Sequence, residues 1–237
     1  MAKFDEGETV SVPSVHLGYK RHDFAMLDRP VRALEDRSVW LDGKSGPVKV
    51  STKLVSPQIA LRLVRFGDIA TETHLLDPIT KALDHHFKLL LPPGAHRTWW
   101  VRSLDELAAF FALDNTATHV VLVGHSEKGT GALALAGGSL PAADLASAFG
   151  SSARLYLSLV CYSGRKDFAR HFTGAMDQRR FVAPFQFLHG AVAVEAATLL
   201  FNNLLLRGES TKVAVRHVNE SLPAGVDLRL WRNGSWK

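Results

Sequence analysis

The sequence predicts an α/β domain built around a mainly parallel sheet and preceded by a small β-rich arm. Three observations carry this reading. Two apolar, β-branched runs, HVVLVGH (119–125) and LYLSLVC (155–161), have the composition of strands buried on both faces. From residue 57 onward, strand-like and helix-like segments alternate, the pattern of βαβ units. No repeat, low-complexity tract or linker interrupts 57–237, so those residues are assigned to one domain and 1–56 to the arm.

Residues 1–30 mix charge, Gly, Pro and His without periodicity and are expected to be irregular. Next, SVWLDG and PVKVSTKLV flank Gly43 and Gly46, a hairpin signal. ALRLVRF (60–66) reads as a strand and DPITKALDHHFKLL (77–90) as a helix, with Pro78 tolerated in its first turn. RTWWVRS (97–103) is a strand that sends Trp99 and Trp100 to opposite sides, with core packing the favoured explanation for both rings. In SLDELAAFFAL (103–113), Ser103 and Glu106 form a capping-box signature. EKGTGALALAGG, after the strand at 119–125, is Gly-rich and β-like. Following the strand at 155–161 come a helix over 164–176 and a strand over 181–187. AVAVEAATLLFNNLLLRG (191–208) reads as one long apolar helix stopped by Gly208. A helix over 210–222 and a strand over 226–231 complete the chain. Gln178-Arg179-Arg180 reads as a basic solvated loop, and Asp77, Asp84, His85 and His86 as a solvated helix face, since adjacent histidines cannot share a metal from one side of a helix.

Composition bounds the function. Of 237 residues, 46% are hydrophobic and 22% charged, which suits a chain with a packed core and excludes general disorder. Apolar runs fall far short of the ~18 residues of a membrane span. The polar start MAKFDEGETV is unlike a secretory signal, so a soluble, cytoplasmic protein without membrane contacts is expected. Basic residues exceed acidic ones by 28 to 23 but are scattered without interleaved aromatics, and nucleic acid is not expected as a partner. The only cysteine is Cys161. It rules out an internal disulfide and a thiolate metal cluster, and an unpaired thiol suits a reducing compartment.

In open α/β sheets, ligands bind outside the carboxyl ends of the strands. Two buried strands end there in reactive groups: Gly124-His125-Ser126 and Cys161-Tyr162-Ser163-Gly164. If these strands are parallel neighbours, His125 and Cys161 emerge side by side, and a neutral imidazole can take the thiol proton. The N–H groups of Ser126 and Cys161 are candidates for an oxyanion hole. Gly124, Gly129, Gly131 and Gly164 let backbone approach a substrate. A cysteine at a strand end is more often packing, and a lone histidine more often a satisfied polar residue. The conjunction of the two in consecutive buried strands favours chemistry.

HVVLVGHSEKGTG followed by LYLSLVCYSG resembles the caspase-like cysteine peptidases, the group of caspases, metacaspases, clostripain-like enzymes and bacterial CHAT proteins. GALALAGGSLPAADLASAFG resembles the CHAT-type strand, turn and helix between the two motifs, and 181–218 the strand and helices that close that fold. The resemblance covers roughly 57–231. It implies a three-layer fold, a mainly parallel central sheet flanked by helices. It also implies a cysteine endopeptidase with His125 as base and Cys161 as nucleophile, working through an acyl-enzyme. No metal or organic cofactor is implied; a protein or peptide substrate and an activating protein partner are. Two features depart from the family. Ser126 replaces the usual Gly after His. Leu159-Val160 precede the cysteine and offer no carboxylate to a basic P1 residue. For an acidic one, Arg65 at the end of the first strand is the available partner. Two other readings compete: an inactive caspase-like interaction domain, and a serine hydrolase using Ser126. The second needs Gly-x-Ser-x-Gly leading into a helix, but Lys128 stands at the last Gly position. Its triad would draw on Asp167 or Asp227 with His189 or, after Asp167, on His217.

Overall fold

Alternating valines make a strand of TVSVP, a stretch too short for its periodicity to stand out. In the computed structural model, which describes residues 4–20, 23–67, 74–127, 129–135, 138–149, 153–175 and 179–237, Thr9–Pro13 (β1) pairs antiparallel with Met26–Pro30 (β2). The expectation that 1–30 is irregular is thereby corrected. Ala33–Glu35 (β3), Ser38–Gly43 (β4) and Gly46–Ser51 (β5) form an antiparallel meander, and β4 and β5 are the hairpin read from Gly43 and Gly46. Ser56–Pro57 (β6) returns to the other edge of β1. Val10, Val12, Val39, Leu41 and Val50 close a small core between these strands. The arm is not detached: β6 straddles the 56/57 division, and Met26 enters the main core.

The main unit runs Leu61–Phe66 (β7), Leu76–Leu90 (α1), His96–Val101 (β8), Leu104–Leu113 (α2) and His119–Val123 (β9). A hairpin of Leu133–Leu135 (β10) and Gly138–Leu140 (β11) leads to Ala142–Ala148 (α3). Then come Leu155–Ser158 (β12), Lys166–Gly174 (α4), Arg180–Pro184 (β13), Gly190–Phe201 (α5), Thr211–Ser221 (α6), Leu228–Arg232 (β14) and Ser235–Trp236 (β15). These strands form a seven-stranded sheet in the order β15-β14-β13-β12-β9-β7-β8. The five strands from β8 to β13 are parallel; β14 pairs antiparallel with β13, and β15 antiparallel with β14.

Period-two alternation sends each strand's residues to two cores. Leu61, Leu63, Val121, Val123, Leu155 and Leu157 pack under α1, α5 and α6, while Val64, Phe66, Val120, Leu122 and Tyr156 pack under α2, α3 and α4. The result is the expected three-layer α/β sandwich.

Four details differ from the sequence reading. Trp99 is buried, but Trp100 is 44% exposed beneath the Arg65 guanidinium, because β8 is an edge strand whose second face is only partly covered. The long helix is interrupted: α5 ends at Phe201 and Asn202–Leu206 make a π turn, before Gly208 takes the left-handed conformation expected of it. At α2, Ser103 Oγ accepts the Glu106 N–H at 3.2 Å as expected, but Glu106 reaches back to the Arg102 N–H, at 2.8 Å. The proposed solvated face of α1 is more structured than expected. Asp84 accepts from Thr98 at 2.8 Å, and the buried Nε2 of His86 has no partner among the described residues.

His96 ties stability to pH. Its side chain is 6% exposed and burial pushes its pKa down to about 4, against the opposing pull of Asp84 and helped by Lys88 and Arg62. The ring is therefore neutral in the fold and titrates near 6.5 once unfolded. Stability is full above pH ~6.5 and falls as pH drops from there towards 4, because only the unfolded chain takes up the proton. The loss from this residue is at most about 3 kcal/mol. Urea unfolding between pH 7.5 and 4.5 should show that slope, to which the buried His119 adds in the same sense, and His96→Gln should reduce it without abolishing it. An unchanged slope in the variant would remove His96 as a source of it.

Candidate active site

The carboxyl edge of the parallel sheet is where β9 and β12 release the chain. Their register pairs Leu157 with Val121 and Ser158 with Leu122, and the Leu159 N–H still donates to Leu122 O at 2.8 Å. Three residues beyond the last pair on either strand stand Cys161 and His125. Both are half-buried, and Cys161 packs against the core shared with α1 and α5.

Beyond β12 the chain turns at once. Ser163 Oγ donates to Val160 O at 2.7 Å, and Ser158 Oγ, 2.7 Å from Ser163 Oγ, accepts the Val160 N–H. This buried hydroxyl pair closes the loop that presents the cysteine. Tyr162 follows with φ +62°, left-handed for a residue with a side chain, a strain held by its N–H on Gln186 O and the Arg165 guanidinium over its ring at 4.5 Å. Gly164 is required here: a Cβ would stand 2.5 Å from Ala183 O, and its own carbonyl accepts from Trp231 Nε1.

Backbone donors in this loop are nearly all engaged. The N–H groups of Val160, Tyr162, Ser163, Gly164 and Arg165 each have an acceptor, whereas the Cys161 N–H has none among the described residues. The sulfur is engaged differently. Leu188 N–H, two residues before α5 begins, points at Sγ at 3.4 Å. Sγ also lies 3.8 Å from Leu188 O, to which the thiol donates.

After His125 the chain folds back as a hairpin. Ala134 N–H donates to His125 O at 2.9 Å and Glu127 N–H to Ala132 O at 2.9 Å, around a Ser126–Leu133 bridge. That is the non-hydrogen-bonded kind of pair, so the Ser126 N–H faces away from the hairpin. Gly124 fits between Phe66 and Leu133. The hairpin tip rests on the cysteine loop: Gly131, at φ +74°, lies so close that a Cβ would be 2.6 Å from Tyr162 O, and Gly129 O accepts from Arg165 at 3.1 Å. A serine elbow needs a helix after Ser126, and a hairpin stands there instead; Lys128 itself lies outside the described residues. Nor are the other members of that triad poised to serve it. His217 bonds Glu209 and Asp227 bonds Asn219.

Arg65 extends from the end of β7, 3% exposed. Its Nη1 meets Asp77 at 3.0 Å, and its buried Nη2 has no partner among the described residues. Lys81, ahead of Arg65, holds the Asp77 carboxyl below its ordinary range. Among the described residues no group of histidine, cysteine or carboxylate side chains could hold a metal ion, and no helix is long and apolar enough to cross a membrane. Sequence reasoning missed Leu188, the strained Tyr162 and the Ser158–Ser163 pair. Of these only the two serines bracketing the cysteine left a visible signal.

Compared with solved structures, the chain is similar to an inactive zymogen C11 protease from Parabacteroides distasonis, with a TM-score of 0.51 and 13% identity over 75% of this chain and 63% of that one. It is likewise similar to a secreted C11 cysteine protease from Bacteroides thetaiotaomicron, determined with an irreversible peptide inhibitor, with a TM-score of 0.52 and 10% identity over 74% and 66%. The fold is that of the caspase-like C11 cysteine proteases. This chain spans just under two thirds of the length of either C11 chain. No family model and no curated protein matches it.

Proposed function

We propose that the protein is a cysteine peptidase in which Cys161 is the nucleophile and His125 the general base. One observation carries the reading. In a C11-type fold, the only cysteine leaves a central parallel strand beside the strand that ends at His125, and its sulfur receives an N–H at the mouth of α5.

The chemistry runs in two halves. His125 takes the thiol proton, and the thiolate attacks the scissile carbonyl carbon. The Cys161 and Ser126 N–H groups stabilise the oxyanion that forms. Collapse breaks the C–N bond, and the imidazolium returns its proton to the leaving amine. Water, deprotonated by His125, then hydrolyses the thioester and restores the thiol. The substrate is a peptide or protein segment, and no cofactor takes part in these steps. Leu159, buried before the cysteine, gives a basic P1 side chain no counter-charge; the Nη2 of Arg65, without a partner among the described residues, favours an acidic one. A reducing, cytoplasmic setting would keep the free thiol active, and an activating protein partner belongs to the same reading.

Iodoacetamide labelling tests the pair, because one cysteine makes the signal unambiguous. Native protein should label readily near neutral pH, and His125→Ala should label roughly tenfold more slowly. Equal rates would sink the pairing. Labelling only after denaturation would leave an interaction domain on a peptidase fold.

A further inference from the structure

The opposite, amino-terminal edge of the main sheet holds a cavity of about 200 Å³. Arg154 immediately precedes β12 and Arg180 opens β13, and the Arg180 N–H donates to Arg154 O at 3.2 Å. Two guanidinium groups thus leave neighbouring strand ends and line one space, joined there by Lys53 from the arm. Thr211, buried in the first turn of α6, accepts from Arg180 Nη1 at 3.0 Å, so the positive end of that helix opens here too. The π turn supplies Leu204 and Leu205 to the wall.

Cations in the lining of this cavity, Lys53, Arg154 and Arg180, outnumber its one carboxylate, Glu209. Among the described residues neither Arg154 nor Arg180 forms an ion pair, and Glu209, the acid in the lining, accepts from His217 at 3.0 Å. Burial first, then Arg232 and Arg154, lower the pKa of Arg180. His119 at the same wall is pushed down to about 4 by burial and by Arg154 and Arg180, and stays neutral. A second cavity of about 290 Å³ adjoins through Arg180 and Thr211 and adds Lys212, Arg232 and Lys237. Like charges set on adjacent strands oppose folding, and a multivalent anion between them removes that repulsion.

We propose that this cavity binds a small phosphate-bearing ligand, one phosphate group lying between the Arg154 and Arg180 forks with Lys53 beside it. Planar guanidinium groups match phosphate oxygens two at a time. The volume admits more than a single ion, being many times that of one water. A small molecule is favoured over a nucleic acid strand because no Phe, Tyr or Trp lines the cavity to stack a base. The site is remote from Cys161 and stands whether or not the dyad is catalytic.

Calorimetric titration of the full chain with inorganic pyrophosphate, at constant ionic strength, tests it. Saturable binding is expected, weakened roughly tenfold or more by Arg154→Gln and by Arg180→Gln. Should Arg180→Gln fail to fold, Lys53→Gln and Arg154→Gln alter exposed side chains and keep the test open, with 31P line broadening as a second readout. Absence of saturation at millimolar pyrophosphate overturns the proposal, as does affinity indifferent to Arg154→Gln. Tighter, arginine-dependent binding of a single-stranded oligonucleotide also overturns it, in favour of a polyanion surface.

Discussion

Cys161→Ala is expected to reduce peptide hydrolysis to background, a loss of about 10⁴-fold or more, while the thermal midpoint falls by no more than a few degrees. The two effects separate because the sulfur is half-buried at a strand end, where its removal deletes two contacts with the Leu188 backbone and little packing. His125→Ala should lose about 10²- to 10⁴-fold through loss of the base. Ser126→Ala should stay nearly fully active, because the proposed contribution of residue 126 is its backbone N–H and not its hydroxyl. A serine hydrolase would show the reverse order, losing everything at Ser126 and little at Cys161. Initial rates on a positional-scanning library of fluorogenic peptides, with scanning calorimetry of each variant, read both quantities. Full activity in Cys161→Ala would end the cysteine-peptidase reading.

The central sheet was legible because burial on both faces writes itself as uninterrupted apolar runs, VVLV before His125 and LYLSLV before Cys161. The arm was not, because β1 and β2 are five residues long, and β2 carries Asp28 and Arg29 on positions that serve bonds to Ser11 Oγ and Asp42 O. Only Asn202-Asn203 mark the end of α5, and the leucines that follow resume the apolar run through the π turn. For the candidate site, residue types at strand ends were readable from periodicity. The contact that bears on the sulfur was not, because Leu188 lies 27 residues beyond Cys161 and acts through a backbone N–H that any residue carries. The cationic cavity was hidden for a similar reason. Arg154, Arg180 and Lys53 are far apart in the chain, and only the pairing of β12 with β13 and the docking of the arm bring them together.

Phe172→Ala carries the largest expected cost in stability. Its ring lies 4.6 Å from Phe181, 5.5 Å from Tyr156, 6.0 Å from Phe168 and 6.1 Å from Phe149, and it is completely buried. Truncating such a residue removes its transfer free energy and leaves a cavity that rigid neighbouring rings cannot fill, a cost of about 4 kcal/mol. For a chain of this size that corresponds to a fall in midpoint of roughly 8–16 °C. Phe187, 60% exposed beside Leu188, is the control, and its alanine variant should unfold like the parent. The pair also separates folding from chemistry. Phe172 belongs to α4, which begins at Lys166 directly after the cysteine loop, on the face of the sheet away from α5. The Leu188 N–H that meets Sγ comes from the α5 side. Phe172→Ala at a temperature where it remains folded should therefore retain most of its Cys161 labelling rate, while urea titration shows the full loss of stability. A cost under about 1.5 kcal/mol would mean that the four remaining rings repack around the gap, contrary to the close packing that their spacings describe.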